Sequence, residues 1–352
     1  MSTVAVEALD PTSPDAGVAA HYGDPLREQR VLAREVGVVD RSHRGVVAVP
    51  GEERLGWLHN LTTQHLAALS AGEGSETLVL SPHGHIEHHA VLAEDGGTTW
   101  LDTEPGAAGP LVEFFQRMRF LTRVEPRDAT AERAVLSLVG PQVTTALTAL
   151  GVGELASPEV LPVPPPKFRT GTVPPLPTAR YTVAQLGDGL ARRGRLGVDL
   201  LVPRERVPEV LATLAEAGVP RCGLWAYEAL RVAAKIPRVG VDTDERTLPA
   251  EAELVGVAVH LEKGCYRGQE TVAKVHHLGR PPRRLTLLHL DGMTSDQLPP
   301  PGTEVTADGR RVGVLGTAVH HYELGPIALA LVRRTVTEGT TLRVADATAL
   351  PA

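Results

Sequence analysis

The chain has 352 residues, of which 42% are hydrophobic, so it is long enough for two or three packed domains. Its formal net charge of −7 argues against a general nucleic-acid binder or a protein that adheres to anionic membranes, because both use a basic surface. The two cysteines are too few for a disulfide framework or a structural zinc site. We therefore expect a cytoplasmic protein with neither a secretory signal nor a membrane span and with no sequence-specific contact to nucleic acid.

The first part of the chain predicts a tail, then helices and a hairpin. Residues 1–20 contain several breakers and are predicted to form a flexible tail. Asp24 as N-cap and Pro25 in the first turn predict a helix over residues 25–35. The next predicted elements are a strand at 45–49, a helix at 52–61 and a hairpin with arms at 77–80 and 86–92.

The middle of the chain alternates predicted helices and strands around a proline-dense stretch. Residues 157–177 are predicted to form an extended surface loop, with ligand binding through a polyproline conformation as the alternative. The predicted helices are 109–119, 142–150 and 206–218, and the predicted strands are 121–125, 134–141, 180–184 and 197–202.

The C-terminal part reads as a separate small domain. Beyond Pro281, short apolar runs alternate with Gly, Pro and Asp turns, which is typical of an antiparallel barrel. We place the barrel at 281–352 and the main body at 21–280.

Residues 83–89 (His-Gly-His-Ile-Glu-His-His) raise the question of a metal site. On a strand, alternation would place His83, His85, Glu87 and His89 on one face. The simpler interpretation is a solvated hairpin face rich in histidine. No independent set of supporting groups is visible in the sequence, so no metal is predicted.

The most distinctive stretch is Lys263-Gly264-Cys265-Tyr266-Arg267-Gly268-Gln269-Glu270. Its glycines permit positive φ or a close backbone approach, and a lysine two residues from a thiol can raise the thiolate fraction. Residue chemistry alone leaves two interpretations open: a turn with Cys265 packed as a small hydrophobe, or a functional loop.

This octapeptide resembles the K-G-C-Y-x-G-Q-E signature of the YgfZ family, folate-binding relatives of the T-protein (aminomethyltransferase) of the glycine cleavage system. Asp40, Ser42, His43 and Gly45 also resemble the T-protein segment D-x-S-H-x-G. The resemblance implies an α+β fold, with two interleaved, ferredoxin-like α/β domains in a ring and a C-terminal antiparallel β-barrel.

Two positions depart from the T-protein pattern. The family's paired aspartates align with His88 and His89, and the glutamate that grips the pterin ring aligns with Arg195. A guanidinium accepts no hydrogen bonds, so pterin recognition by this chain must differ in detail.

A predicted helix near residue 225 supplies the other candidate folate contacts. It carries Trp225, Tyr227, Glu228 and Arg231, and the aromatic rings are suited to flank a flat ligand. The alternative is an amphipathic core helix with Trp225 buried.

The resemblance implies a tetrahydrofolate-binding accessory factor that supports iron–sulfur cluster assembly or repair, and so tRNA modification by iron–sulfur enzymes. Its partners would be a folate and iron–sulfur proteins or their assembly machinery. Cys265 would contact a cluster, a one-carbon unit or an oxidant; Lys263 would favour the thiolate or hold the folate tail; Glu270 and Arg231 would order the loop. The alternatives are a folate-dependent aminomethyltransferase and a scaffold without folate.

Overall fold

The computed structural model describes residues 6–7, 13–157, 159–163, 176–278, 280–291 and 297–352. Its α-helices are α1 (Pro25–Arg34), α2 (Arg54–Leu61), α3 (Ala108–Arg117), α4 (Val143–Ala149), α5 (Val207–Glu216), α6 (Leu224–Ala233) and α7 (Gln269–Leu278). The strands of the main body are β1 (Val6–Glu7), β2 (Ala19–His21), β3 (Gly37–Asp40), β4 (Gly45–Pro50), β5 (Glu73–Leu80), β6 (Ile86–Glu94), β7 (Thr98–Thr103), β8 (Arg127–Asp128), β9 (Arg133–Val139), β10 (Glu159–Val163), β11 (Leu176–Leu186), β12 (Gly189–Arg193), β13 (Val198–Pro203) and β14 (Arg221–Cys222). The remaining strands are β15 (Arg283–Asp291), β16 (Glu304–Ala307), β17 (Arg310–His321), β18 (Gly325–Arg333), β19 (Leu342–Val344) and β20 (Ala347–Pro351).

One twelve-stranded sheet organises the main body. Its order is β14-β3-β9-β13-β12-β11-β5-β6-β7-β4-β8, and β10 pairs with β11. One apolar cluster joins β9 and β13 to α4 and α5, and a second joins β4, β6 and β7 to α2 and α3. The prediction of a mixed α/β body is confirmed, whereas its division into two interleaved domains stays a prediction.

The C-terminal strands close into an antiparallel barrel, as predicted. The six strands follow the order β15-β18-β17-β16-β19-β20 around the barrel. Its interior is filled by small and branched apolar side chains such as Leu288, Ala330 and Val344. On the outside, Val232 of α6 packs against Leu285, which ties the barrel to the main body.

The start of α1 follows the sequence signals. The Asp24 side chain accepts a hydrogen bond from the Arg27 amide at 2.9 Å, and Pro25 occupies the first turn. None of the described helices combines the length and apolar character needed to cross a membrane.

Two local predictions are wrong. Residues 121–125 form turns and no strand, because the Thr122 amide bonds back to the Arg119 carbonyl and Phe120 takes a positive φ of 46°. The proline-dense stretch 157–177 was expected to lack regular structure, but β10 pairs with the start of β11. Residues 158 and 164–175 lie outside the described part of the chain. The sequence patterns also missed β7, β12 and β20.

The predicted tail is ordered over residues 13–20. Asp15 forms an ion pair with Arg238 at 2.7 Å, and Val18 is 3% exposed. Ala20 lies so close to Gly223 that a Cβ added to the glycine would fall 2.2 Å from the Ala20 carbonyl oxygen. The expectation of a flexible segment therefore fails for 13–20, because a buried ion pair and close packing hold it; residues 1–5 and 8–12 lie outside the described residues.

Candidate functional site

A polar cavity lies over the middle of the sheet and beneath α6. Its volume is about 70 Å³, and it is partly open to solvent. Four of the predicted folate contacts line it, namely Arg195, Tyr227, Glu228 and Arg231. The fold thus gathers at one place residues that are up to 36 positions apart in the sequence.

A continuous chain of buried and partly buried ion pairs runs along the wall of this cavity, and six of its eight members line the cavity. Its members, in order of contact, are Asp15, Arg238, Glu104, Arg44, Asp102, Arg192, Asp199 and Arg41. The N···O distances run from 2.6 to 3.4 Å. Burial would raise the pKa of Asp102, but the charges of Arg192 and Arg44 outweigh it and lower that pKa to about 2. Asp102 therefore stays ionised at neutral pH.

Glu76 on β5 is the carboxylate beside His89. It is 3% exposed, and its oxygens accept hydrogen bonds from Tyr181 and, at 3.0 Å, from His89. Burial would raise the pKa of Glu76, yet the hydrogen bond with His89 and the charge of Arg195 lower it to about 2. Arg195 lies 3.9 Å from this carboxylate, which is beyond hydrogen-bonding distance.

Arg231 and Glu228 make a tight pair on α6. Two Arg231 nitrogens donate to the two Glu228 oxygens at 3.1 and 2.6 Å. Arg231 also donates to Asp242 at 2.8 Å and to Thr317 at 2.7 Å. These bonds join α6 to Asp242, in the loop that follows the helix, and to Thr317 of β17 in the barrel. None of them reaches residues 263–270, against the expectation that Arg231 orders that segment.

Trp225 does not share the cavity with Tyr227. Residues two apart on a helix point to different sides, and the indole is 47% exposed on the other face of α6. It lies in an apolar groove between α1 and the barrel. Tyr227 is in the cavity, where the Arg41 guanidinium sits 4.2 Å from its ring centroid. The expectation that both rings flank one ligand, or that Trp225 is buried, is therefore wrong.

Within the described part of the chain, no residue of the segment 263–270 lines the polar cavity. Lys263 is 5% exposed, and its ammonium donates to the carbonyls of His59 and Thr62 at the end of α2. Burial lowers the pKa of Lys263 to about 8. Cys265 is exposed, and both cysteines are free thiols. Lys263 thus caps a helix instead of facing solvent to hold a ligand's anionic tail, against the expectation from the resemblance.

The segment packs on the β5–β6 hairpin through two glycines. Gly268 has φ +80°, and a Cβ there would lie 2.6 Å from the Ser81 carbonyl oxygen and 2.8 Å from the Cα of Gly84. Arg267 adds an exposed ion pair with Glu87 at 3.1 Å. Because His89 of the same hairpin lines the cavity, the hairpin connects the segment to the cavity.

The histidine-rich hairpin does not gather its histidines at one point. The rings of His83 and His85 lie 6.3 Å apart at the turn, whereas His89 bonds Glu76 in the cavity. Across the described residues, no three His, Cys, Asp or Glu side chains form a group that could hold a metal ion.

Comparisons with known proteins match this geometry. The GCVT N-terminal domain matches residues 21–263, and the CAF17 C-terminal beta-barrel domain matches residues 283–352. The chain belongs to the GCVT family. It is an aminomethyltransferase-like protein that carries a CAF17-type barrel.

Relatives and one solved structure resemble most of this GCVT-family chain. The aminomethyltransferase of Thermosynechococcus vestitus is 30% identical over 244 residues, which cover 67% of this chain and 61% of that protein. The aminomethyltransferase of Symbiobacterium thermophilum is 29% identical and covers 84% of this chain and 78% of that protein. The glycine cleavage system aminomethyltransferase T of Bartonella henselae superposes with a TM-score of 0.79 at 19% identity, over 99% of this chain and 93% of the other, and so shares its fold.

Sequence reasoning missed most of the cavity wall of this GCVT-family protein. Glu76, Asp102 and Tyr181 lie inside strands and were not singled out, although a charged residue in an apolar strand is itself a signal. Asp15 and Glu104 lie outside regular elements, and their partner Arg238 is 223 and 134 positions away. No local pattern reveals such pairs.

Breaking the ion network at its centre is expected to destabilise the fold. Arg44→Leu removes the partner of Asp102 and Glu104, so we expect a loss of about 3 kcal/mol in the free energy of unfolding, measured in urea. Arg123→Leu removes an arginine that is 73% exposed and pairs with Glu53, so its stability is expected to stay nearly unchanged. Equal stability of the two variants would contradict a structural role for the network.

The contact between Gly268 and the hairpin predicts unequal tolerance of the two glycines in the segment. Gly268→Ala meets both a positive φ and a backbone clash, so it is expected to cost about 1–3 kcal/mol and to increase amide exchange over residues 263–278. Gly264→Ala meets no atom within 4 Å and is the matched control. Similar exchange in the two variants would show that the contact is dispensable.

Proposed function

We propose that this protein is a tetrahydrofolate-binding accessory factor of the YgfZ branch of its family. In this role it supports the assembly or repair of iron–sulfur clusters, and through them tRNA modification by iron–sulfur enzymes. One observation carries the proposal. Glu76, the cavity carboxylate that bonds His89, has a pKa lowered to about 2.

Aminomethyl transfer needs a group that exchanges a proton near the working pH. At the place of the family's paired aspartates this chain has His88 and His89, and the adjacent carboxylate is Glu76. With its pKa lowered to about 2, Glu76 is a weak base at neutral pH. The cavity is therefore better suited to hold a ligand than to turn it over.

The donor set of the cavity fits a reduced pterin. Tyr227 supplies an aromatic ring. Arg195 lies 3.9 Å from Glu76, so its N–H groups do not form a hydrogen bond with that carboxylate and can donate to a ligand. A carboxylate has about four acceptor sites, of which His89 and Tyr181 use two at Glu76. These residues would hold the ring, and Glu228 on α6 lies in the same wall. Tetrahydrofolate, when bound, supplies a carrier for a one-carbon unit.

Segment 263–270 is the second part of the proposed function. Its exposed Cys265 is the group that would meet a cluster, a one-carbon unit or an oxidant of a partner protein. The hairpin joins it to the cavity, since Gly84 touches Gly268 and His89 lines the cavity. Glu270, exposed in the first turn of α7, is available to the same partner.

Titration with tetrahydrofolate tests the cavity with a matched pair of aromatic variants. Tyr227→Ala removes a ring from the cavity, so we expect about tenfold weaker binding by isothermal titration calorimetry. Trp225→Ala removes a ring from the opposite face of α6 and should leave the affinity unchanged. Absence of binding by the wild-type protein would favour the scaffold alternative, and an equal loss in both variants would place the ligand elsewhere.

Complementation of iron–sulfur enzyme activity in cells tests segment 263–270. Lys263→Met leaves the carbonyls of His59 and Thr62 without their donor, so we expect clearly reduced complementation with a folded protein that loses about 1–3 kcal/mol. Lys274→Met changes an exposed lysine of α7 and is the control.

The transferase alternative is tested by the same preparation. A glycine-cleavage exchange assay is expected to show no turnover above background. Robust exchange by the wild-type protein, or full complementation by Lys263→Met, would count against the accessory role.

A further inference from the structure

The apolar groove that holds Trp225 is a second cavity, distinct from the polar one. It lies between α1, α6 and the barrel, with a volume of about 770 Å³, within the range of small-molecule sites. Its walls are formed by Pro25, Leu26, Trp225, Leu298, Ala318 and Val319.

Two polar side chains in the walls of this groove, Gln29 and His321, are engaged within the protein. The Gln29 side chain donates to the His320 carbonyl at 2.8 Å and accepts from the Tyr322 amide at 2.9 Å. Nδ1 of His321 accepts from the Glu323 and Leu324 amides. These bonds hold the wall in place and leave the groove an apolar surface, so its ligand must present an apolar body.

Helix α1, which contributes Leu26 to the groove, also carries Arg30 and Arg34. Arg30 lies one helical turn after Leu26, is exposed, and its guanidinium sits 5.9 Å from the Tyr322 ring centroid. Arg34 approaches the same ring at 5.9 Å, but its charge is offset by an ion pair with Glu323. From its spacing one turn after Leu26, we infer that Arg30 can reach an anionic group at the mouth of the groove.

We propose that this groove binds an amphiphilic carboxylate, an aliphatic chain of medium length whose acid group pairs with Arg30. The chain would cover the exposed face of Trp225 and the side chain of Leu26, which is 39% exposed. Removing these apolar surfaces from water drives the binding, and the charge at the rim selects an anion over a cation. The site is independent of folate binding in the polar cavity.

Trp225 itself reports on the site. The other two tryptophans, Trp57 and Trp100, are 7% and 8% exposed, so iodide quenching of tryptophan fluorescence senses chiefly Trp225. We expect decanoate, added as monomer, to protect the emission from iodide in a saturable way. Decyltrimethylammonium, with the same chain and the opposite charge, should protect at clearly higher concentration.

Matched variants locate the ligand. Leu26→Asp should abolish the protection, whereas Leu350→Asp, a change at a 46% exposed leucine of β20, should leave it intact. Arg30→Gln should weaken decanoate binding about threefold to fivefold and should not weaken binding of the cationic amphiphile. No saturable protection, equal loss in both aspartate variants, or equal affinity for the two amphiphiles would overturn the proposal.

Discussion

The chain of ion pairs from Asp15 to Arg41 links distant parts of the main body. Each buried charge costs several kcal/mol unless a partner is placed within hydrogen-bonding distance, so the elements that carry these side chains must meet in one arrangement. The network joins the N-terminal segment, both halves of the sheet and the loop after α6. Arg231 extends the same principle to the barrel through Thr317. Charge pairing therefore complements the apolar clusters in specifying this fold.

The same constraint determines what the cavity can do. Carboxylates that are held by arginines keep low pKa values, and the pairing that stabilises the fold makes them poor proton acceptors at neutral pH. Arg195 and Tyr227 are less committed to the network, and they face the space in which a ligand would lie. Such a cavity is better suited to bind a ligand than to act as a general base. We therefore favour the binding role over the transferase alternative.

The sequence predicted the elements that are determined by neighbouring residues. It missed the features that depend on contacts between residues far apart in the chain. Asp24 and Pro25 marked the start of α1 correctly, and the Gly, Pro and Asp turns predicted the closed barrel. The order of residues 13–20 depends on a bond between Asp15 and Arg238, 223 positions apart, which no local pattern contains. Tyr227 and Trp225 were both predicted as folate contacts. Tyr227 lines the polar cavity, whereas Trp225, two residues earlier on α6, lies on the opposite side of the helix.

Within segment 263–270, the fold itself accounts for several residue choices. Lys263 caps α2, Tyr266 is buried beside it, Gly268 allows the contact with the hairpin, and Gln269 donates to the Lys263 carbonyl at 3.3 Å. Cys265 is different, because its side chain is exposed. Because the Cys265 side chain is exposed, its thiol is accessible to a partner. The structure thereby distinguishes the residues that the fold of the segment uses from the exposed Cys265, a distinction that the sequence pattern alone does not contain.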